Sequence, residues 1–203
     1  MESFDCVMRF RGSDERSART RGGLAAGAAF CHDGQTMSLF ELPISVRDAW
    51  PSGARDFDFL EGEWIIRHRR LRERLKGSCD WVEFETPMVM QPILGGLGNI
   101  DQCRITEGSF FEGVSLRLFD MSDGLWRIYW TDSTGARLFP PVVGGFDGPE
   151  GVFRGEDSHE GRPVLVTFRW DRSDPSRPSW QQAFSADGGS SWEPNWFMSF
   201  RRP

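Results

Sequence analysis

The chain has 203 residues, a formal net charge of −6 and 13% aromatic residues. This length suits one domain with a proper core. The sequence contains no apolar run of the roughly 18 residues that a membrane-spanning helix needs. The acidic balance argues against a general nucleic-acid binder. Lys76 is the only lysine among 24 basic residues, which we interpret as codon bias in a GC-rich genome.

Residues 1–36 differ in character from the rest of the chain, because they show no apolar periodicity. Their small-residue run, GGLAAGAAF, is too short for a signal peptide and follows acidic residues. We expect residues 1–36 to be a disordered tail, or an upstream stretch that is not translated, with the natural start at Met37. Residues 37–55 then form a lead-in segment, and residues 56–203 form the folded domain.

Four cysteines are scattered along the chain, at Cys6, Cys31, Cys79 and Cys103. No spacing between them, or between cysteine and histidine, is typical of a metal site or a disulfide framework. The sequence therefore predicts reduced thiols, a cytoplasmic location, no metal and no cofactor.

From Asp56 onward, turn-forming sequences recur every 8 to 15 residues, among them MSDG at 121–124 and ADGGS at 186–190. The runs between them are rich in Val, Ile, Phe and Trp, and several alternate apolar and polar residues. The alternating apolar residues are Val114, Leu116 and Leu118; Trp126, Ile128 and Trp130; Val164, Val166, Phe168 and Trp170; and Trp196, Met198 and Phe200. One apolar face per strand predicts an all-β fold, a single antiparallel up-and-down barrel of about ten strands around its own interior.

One segment, WIIRHRRLRERL at 64–75, fits two structures. As a helix it would align Trp64, His68, Leu71 and Leu75 on one face. As a strand it would place Trp64, Ile66, His68 and Arg70 on one face. We favour the strand, because Gly62 and Trp64 introduce it and strands follow it throughout.

Two short motifs point to a known family. GEW, at Gly62 to Trp64, opens the first strand, and FMSFRR places Arg201 in the last strand. With the meander of strands, these residues resemble the calycin superfamily, in which a Gly-x-Trp tryptophan packs at the closed end of the barrel and a late basic residue lies across it. The resemblance implies that role for Trp64 and Arg201.

Longer stretches of residues 50–203 resemble uncharacterised bacterial lipocalin-like proteins, a group of domains of unknown function. These stretches are DFDFLEGEW, PILGGLGNID, GVSLRLFD, WRIYW and FSADGGSSWEPNW. Some calycins, such as nitrobindin, bind haem through a late histidine. This sequence departs from that pattern, because His159 is its only histidine after Asn99 and lies in a turn.

The expected ligand-binding residues lie on the inward faces of the predicted strands. Five are aromatic and three are polar: Trp126, Trp130, Phe168, Trp170 and Phe184, with His68, Arg70 and Gln182. His68 is the most interesting, because a titratable group in an apolar interior is either a functional group or a hydrogen-bonded core residue. Asn99 and Asp101 could also point inward, and Gln182 needs hydrogen-bond partners if it is buried.

A run of basic residues follows Ile66, from Arg67 to Lys76. We interpret it as a solvated hairpin whose charges pair with Glu83 and Glu85 on the next strand, in preference to a phosphate-binding patch.

Three functions remain open at this point. The first is a barrel that binds a small hydrophobic or amphipathic molecule, without nucleic acid or membrane as partner. The second is an isomerase, cyclase or lyase on the same barrel, with His68 as acid or base. The third is a ligand-free barrel whose exposed aromatic residues form a homodimer interface.

Overall fold

The computed structural model describes residues 31–32, 35–36, 49–106 and 111–203. The chain divides into two units, Met1–Leu39 and Phe40–Pro203. In the first unit, β1 (Cys31–His32) and β2 (Gln35–Thr36) pair antiparallel. The predicted tail lies outside the described residues apart from these two strands, and so does the predicted start at Met37. In the described part of the chain, no helix has the length and apolar character needed to cross a membrane.

The second unit is a closed antiparallel barrel of ten strands. Each strand pairs with the next along the chain, and β12 pairs with β3 to close the barrel. This confirms the predicted up-and-down barrel. The strands are β3 (Gly62–Leu71), β4 (Trp81–Ile93), β5 (Gly98–Ile105), β6 (Phe111–Asp120), β7 (Leu125–Asp132), β8 (Val142–Asp147), β9 (Glu150–His159), β10 (Arg162–Asp171), β11 (Ser179–Ser185) and β12 (Glu193–Arg201).

The ambiguous segment at 64–75 is a strand as far as Leu71, and residues 72–80 connect it to β4. Its inward residues are buried: Trp64, Ile66 and His68 are at most 2% exposed. The helix interpretation is therefore wrong. The strand buries these residues on one face and places Arg67 and Arg69 in solvent on the other.

The two ends of the barrel differ. We call the end where β3 begins the floor and the opposite end the mouth. Short 3-10 turns at Ser52–Arg55 and Asp58–Leu60 cross the floor and bury Ala54, Phe57 and Leu60. Trp126 donates a 2.8 Å hydrogen bond to the Gly53 carbonyl and ties these turns to the barrel wall. We call residues 52–60, which contain both turns, the lead-in from here on.

The Gly-x-Trp motif lies at this floor. Trp64 is 1% exposed and donates a 2.7 Å hydrogen bond to the Leu60 carbonyl. Gly62 has a φ of 94°, a conformation that favours glycine. The residue across the Trp64 ring is Arg202, at 3.6 Å from the ring centroid, and not Arg201. Arg201 instead points outward with the alternation of β12 and pairs with Glu85 at 3.1 Å.

The face of β6 that lies inside the barrel is the opposite of the one that its apolar residues predict. Arg117 is 4% exposed and lies inside, whereas Val114, Leu116 and Leu118 lie on the outer face. The cause is an ion pair, because Arg117 meets Asp101 on the inner face of β5. Phe111 and Phe119 supply the buried apolar area at the two ends of the same face.

Candidate functional site

A cavity of about 200 Å³ lies within the barrel. Seven of the eight predicted ligand-binding residues line it: His68, Arg70, Trp130, Phe168, Trp170, Gln182 and Phe184. The exposed residues Pro140 and Glu156 also border it, so the cavity opens at the mouth, beside the connection between β7 and β8. The two strands of the wall are joined over only a short length there, because β7 and β8 share only three residue pairs.

The eighth predicted residue, Trp126, does not line the cavity. It is 1% exposed and packs at the floor, with its ring centroid 5.0 Å from that of Phe57. Alternation gave its inward direction correctly, but not its height along the barrel axis. The lead-in residues fill the interior at that height, so Trp126 is part of the core.

Aromatic side chains form one continuous wall of the cavity along β10, β11 and β12. The Trp180 ring centroid lies 5.8 Å from that of Trp196, 6.4 Å from that of Trp170 and 4.9 Å from that of Phe168. Trp130 faces this wall from β7, with its centroid 6.4 Å from that of Trp196. Three of these four pairs are edge-to-face, an arrangement that aromatic rings favour.

His68 is a fully hydrogen-bonded core residue. Its Nδ1 accepts a 3.1 Å hydrogen bond from Trp196 Nε1, and its Nε2 lies 2.8 Å from the Thr86 hydroxyl. Because the indole can only donate, Nδ1 carries no proton, and Nε2 donates to Thr86. Burial, with a smaller contribution from the charge of Arg70, lowers the pKa of His68 to about 3. The imidazole is therefore neutral at pH 7, and it fixes the Trp196 ring.

Two arginines approach the same tryptophan ring near the mouth. The Arg70 guanidinium carbon lies 4.6 Å from the Trp196 ring centroid, and that of Arg74 lies 5.9 Å from it. Arg70 also lies 5.6 Å from the Phe111 ring, and Arg74 lies 5.6 Å from that of Phe184. Burial lowers the pKa of Arg74 to about 9, with Arg70 as the next cause. Both guanidiniums remain charged at pH 7.

A buried polar cluster lies deeper in the barrel. Arg117 donates to the Asp101 carboxylate, and a 3.0 Å hydrogen bond joins it to Asn99 Oδ1. Its guanidinium also lies 5.3 Å from the Phe57 ring and 5.8 Å from the Trp170 ring. Arg117 Nε and Trp170 Nε1 are both buried without a hydrogen-bond partner among the described residues. These two N–H groups are donors available to a polar atom inside the cavity.

Gln182 is an inward amide with an internal partner. It is 7% exposed, and its Nε2 donates a 2.8 Å hydrogen bond to Asn195 Oδ1. The pairing of β11 with β12 shifts register between Gln182 and Ala183, and Asn195, at that shift, is fully buried. One N–H of the amide is therefore occupied by Asn195, while the amide adds polarity to the cavity wall.

The basic run divides into outward and inward residues. Arg67 pairs with Glu83 at 2.7 Å, Arg72 with Asp80 at 3.3 Å and Lys76 with Glu160 at 3.0 Å, all in solvent-exposed positions. These residues are solvated as predicted and Arg67 pairs with Glu83, but Glu85 pairs with Arg201 instead of with the basic run. Arg74 differs, because it turns into the mouth of the cavity. A connection between strands has no alternation, so nothing in the sequence indicates this direction.

Several other lining residues follow from signals already in the sequence. Trp196 shares an apolar face with Met198 and Phe200, and Trp180 stands two positions before Gln182. The same alternation rule therefore identifies both as cavity residues. Asp101 lies inside as the sequence allowed, whereas Arg117 carries no such signal, because a charged residue on a strand is usually an outward one.

The described residues offer little to a metal or a covalent mechanism. Within ranges 49–106 and 111–203, and the four residues of β1 and β2, no three His, Cys, Asp or Glu side chains group as metal ligands. Cys103 borders the cavity, and burial, followed by the nearby Asp101, raises its pKa to about 12. Its thiol is therefore protonated at pH 7 and a poor nucleophile. No family model matches the chain, and a search of curated proteins finds no matching relative.

Proposed function

We propose that the chain is a calycin-like barrel that binds a small hydrophobic or amphipathic molecule in its interior. The cavity itself carries this proposal, because a closed barrel with a packed core would leave no space of about 200 Å³. Its wall combines aromatic faces with a few polar groups, which is the composition of small-molecule sites.

The size of the cavity restricts the ligand. An apolar protein cavity of about 150 Å³ holds benzene, so one of this size holds about eight to ten non-hydrogen atoms. Long acyl chains are too large, unless the barrel wall moves. A single ring with one short substituent fits.

The state of His68 favours binding over catalysis. A general base needs a free nitrogen lone pair within reach of a substrate. In His68, the only lone pair accepts the Trp196 N–H, and the proton on Nε2 is directed at Thr86. His68, on which the enzyme hypothesis depends, therefore uses both ring nitrogens in hydrogen bonds within the barrel core.

Native mass spectrometry of the protein from its own cell extract tests this proposal. We expect an adduct of roughly 100–200 Da that is absent from the denatured protein, a mass range that corresponds to about ten non-hydrogen atoms. A cavity-filling variant, Ser115→Phe, should lose the adduct, since Ser115 borders the cavity. Val114→Phe is the matched control, because Val114 is its outward neighbour. An adduct that Ser115→Phe retains, or a bare wild-type mass, would contradict tight binding in the cavity.

A homodimer is the second proposal, and the reversed β6 supports it. Leu116 is paired directly with Ile100 on the outer face, and Val89 lies on the adjacent strand. Ile100 is 37% and Val89 is 45% exposed, so the outer surface here is apolar. Sedimentation equilibrium of wild type and Leu116→Glu should show a dimer that the variant loses; monomers in both would exclude this interface.

A cytoplasmic location also remains our proposal. Cys79 and Cys103 are both unpaired, which accords with a reducing compartment. Alkylation of the exposed Cys79 in intact cells, followed by mass spectrometry, would show whether its thiol is reduced there.

A further inference from the structure

We infer that the ligand of this cavity is a small ring-bearing carboxylate, whose anionic group is bound by Arg74 and Arg70 at the mouth. This inference rests on the proposed function and specifies the class of ligand.

The two guanidiniums contact the same ring, and neither forms an ion pair with a described carboxylate. Both lie within 6 Å of the centroid of the same Trp196 ring. No described carboxylate forms an ion pair with either one, and Arg74 Nη2 is buried without a hydrogen-bond partner in the described part of the chain. Both arginines are partly buried, and a partly desolvated cation is costly without a counter-ion, the more so when a second cation repels it. A bound anion would relieve both costs.

Nearby acidic side chains attract these arginines but form no ion pair with them among the described residues. Glu193 lies near Arg74, but its Oε1 accepts a 2.7 Å hydrogen bond from the Leu75 N–H. Asp132 lies near Arg70, but its carboxylate accepts hydrogen bonds from Thr134 and, at 3.3 Å, from Trp130 Nε1. Glu156 and Asp157 border the cavity from β9, and neither forms an ion pair with Arg70 or Arg74.

Charge balance supports one anionic group on the ligand. Among the causes that act on Arg74, repulsion from Arg70 is larger than attraction by Glu193. The surroundings of Arg74 therefore disfavour its charged form, although Asp132 attracts Arg70. A planar carboxylate matches the planar guanidinium, which can offer it two parallel N–H groups.

The surroundings also favour a ring at the other end of the ligand. Trp130 and Trp196 meet edge to face beside the upper cavity, with their ring centroids 6.4 Å apart, and Phe184 lies beside Arg74. A ring that packs against these aromatic side chains from inside the cavity would leave its carboxylate at the mouth, next to the arginines. The aromatic side chains thus bind the ring, and the arginines bind the carboxylate, of one amphipathic molecule.

The test compares three probes of nearly equal size, namely benzoate, benzamide and benzylamine, by quenching of tryptophan fluorescence. We expect wild type to bind benzoate roughly ten- to hundredfold more tightly than benzamide, because a charge-assisted hydrogen bond replaces a neutral one. Arg74→Met should abolish this preference. Arg72→Met should retain it, since Arg72 is exposed on the same connection and pairs with Asp80.

A second measurement needs no ligand. Arg74→Met removes an unpaired buried charge but keeps most of the side-chain volume, so the melting temperature of the ligand-free protein should rise by a few degrees. Arg72→Met should not raise it. A fall in the melting temperature with Arg74→Met would overturn the inference, because Arg74 would then already have an effective partner.

The binding outcomes separate this inference from the proposed function. If benzamide or benzylamine binds as tightly as benzoate, or if Arg74→Met retains the preference, the carboxylate site is wrong and the binding barrel stands. If none of the three probes binds and the native mass is bare, both are wrong. If Arg74→Met abolishes the preference for benzoate and Arg72→Met retains it, the carboxylate site is established.

Discussion

His68 shows how the interior sets the chemistry of a single residue. The folded state lowers its pKa from 6.5 to about 3, mainly by burial. As the pH falls through 6.5, the unfolded chain binds a proton at His68 while the folded chain does not. The stabilisation from the neutral imidazole is therefore complete above about pH 6.5, and is lost between pH 6.5 and 3.

This linkage predicts that the free energy of unfolding depends more strongly on pH in wild type than in His68→Gln. For wild type, His68 should contribute a loss of about 2 kcal/mol in the free energy of unfolding between pH 7.5 and 5. Urea unfolding of both proteins at the two pH values measures the difference, in which the titration of the shared carboxylates and of His159 cancels. Equal pH dependence in the two proteins would show that His68 is not held neutral.

The Asp101–Arg117 pair gives a prediction at the same scale. Both side chains are 5% exposed, so removal of one leaves the other charge buried and unpaired. Arg117→Met should cost about 3–5 kcal/mol in the free energy of unfolding. The double variant Arg117→Met/Asp101→Leu should recover most of that loss, because no buried charge remains. A double variant as unstable as the single one in urea would contradict this account.

At the scale of strands, the sequence predicts direction where one face is clearly apolar. In β10 and β12 the alternation of Trp170 or Trp196 with polar neighbours gives the correct inward face. In β6 it fails, because Arg117 faces inward toward Asn99 and Asp101 on β5. The pattern within one strand contains no information about a partner on another strand. A buried ion pair between strands can therefore reverse the inward face that the pattern predicts.

Packing between strands also depends on one glycine that no periodicity identifies. The Trp130 ring lies over Gly113 of β6, and a Cβ atom there would be 2.0 Å from Trp130 Cη2. Gly113→Ala should therefore displace the ring and cost about 1–3 kcal/mol in stability. Near-ultraviolet circular dichroism and urea unfolding measure the two effects.

Gly135→Ala is the control for this substitution. A Cβ at Gly135 meets only an Arg137 side-chain atom, at 3.9 Å, and its backbone is not strained. This variant should keep the wild-type spectrum and stability. If Gly113→Ala behaves in the same way, Trp130 does not pack on β6, and the upper cavity has a different shape.

For the whole molecule, the sequence predicts a closed barrel but not which end is open. Closure follows from strand number, hairpin-length connections and alternation. The plugged floor and the open mouth depend on segments outside the strands, such as the lead-in with Phe57 and the connection with Arg74. Such segments have no period, so their side-chain directions are determined only by the assembled barrel.

The floor supplies the last prediction. Phe57 is 1% exposed, and its ring lies 5.0 Å from Trp126 and 5.2 Å from Phe146, measured between centroids. Phe57→Ala should cost about 3–5 kcal/mol in the free energy of unfolding, because it leaves a cavity among rings from several strands. Phe59→Ala is the control and should cost less, since Phe59 is only partly buried. Urea unfolding of both variants should still show a single transition if the lead-in and the barrel form one cooperative core. A cost below about 1 kcal/mol for Phe57→Ala would instead mean that the lead-in covers a barrel that is stable without it, because a fully buried phenylalanine normally contributes more.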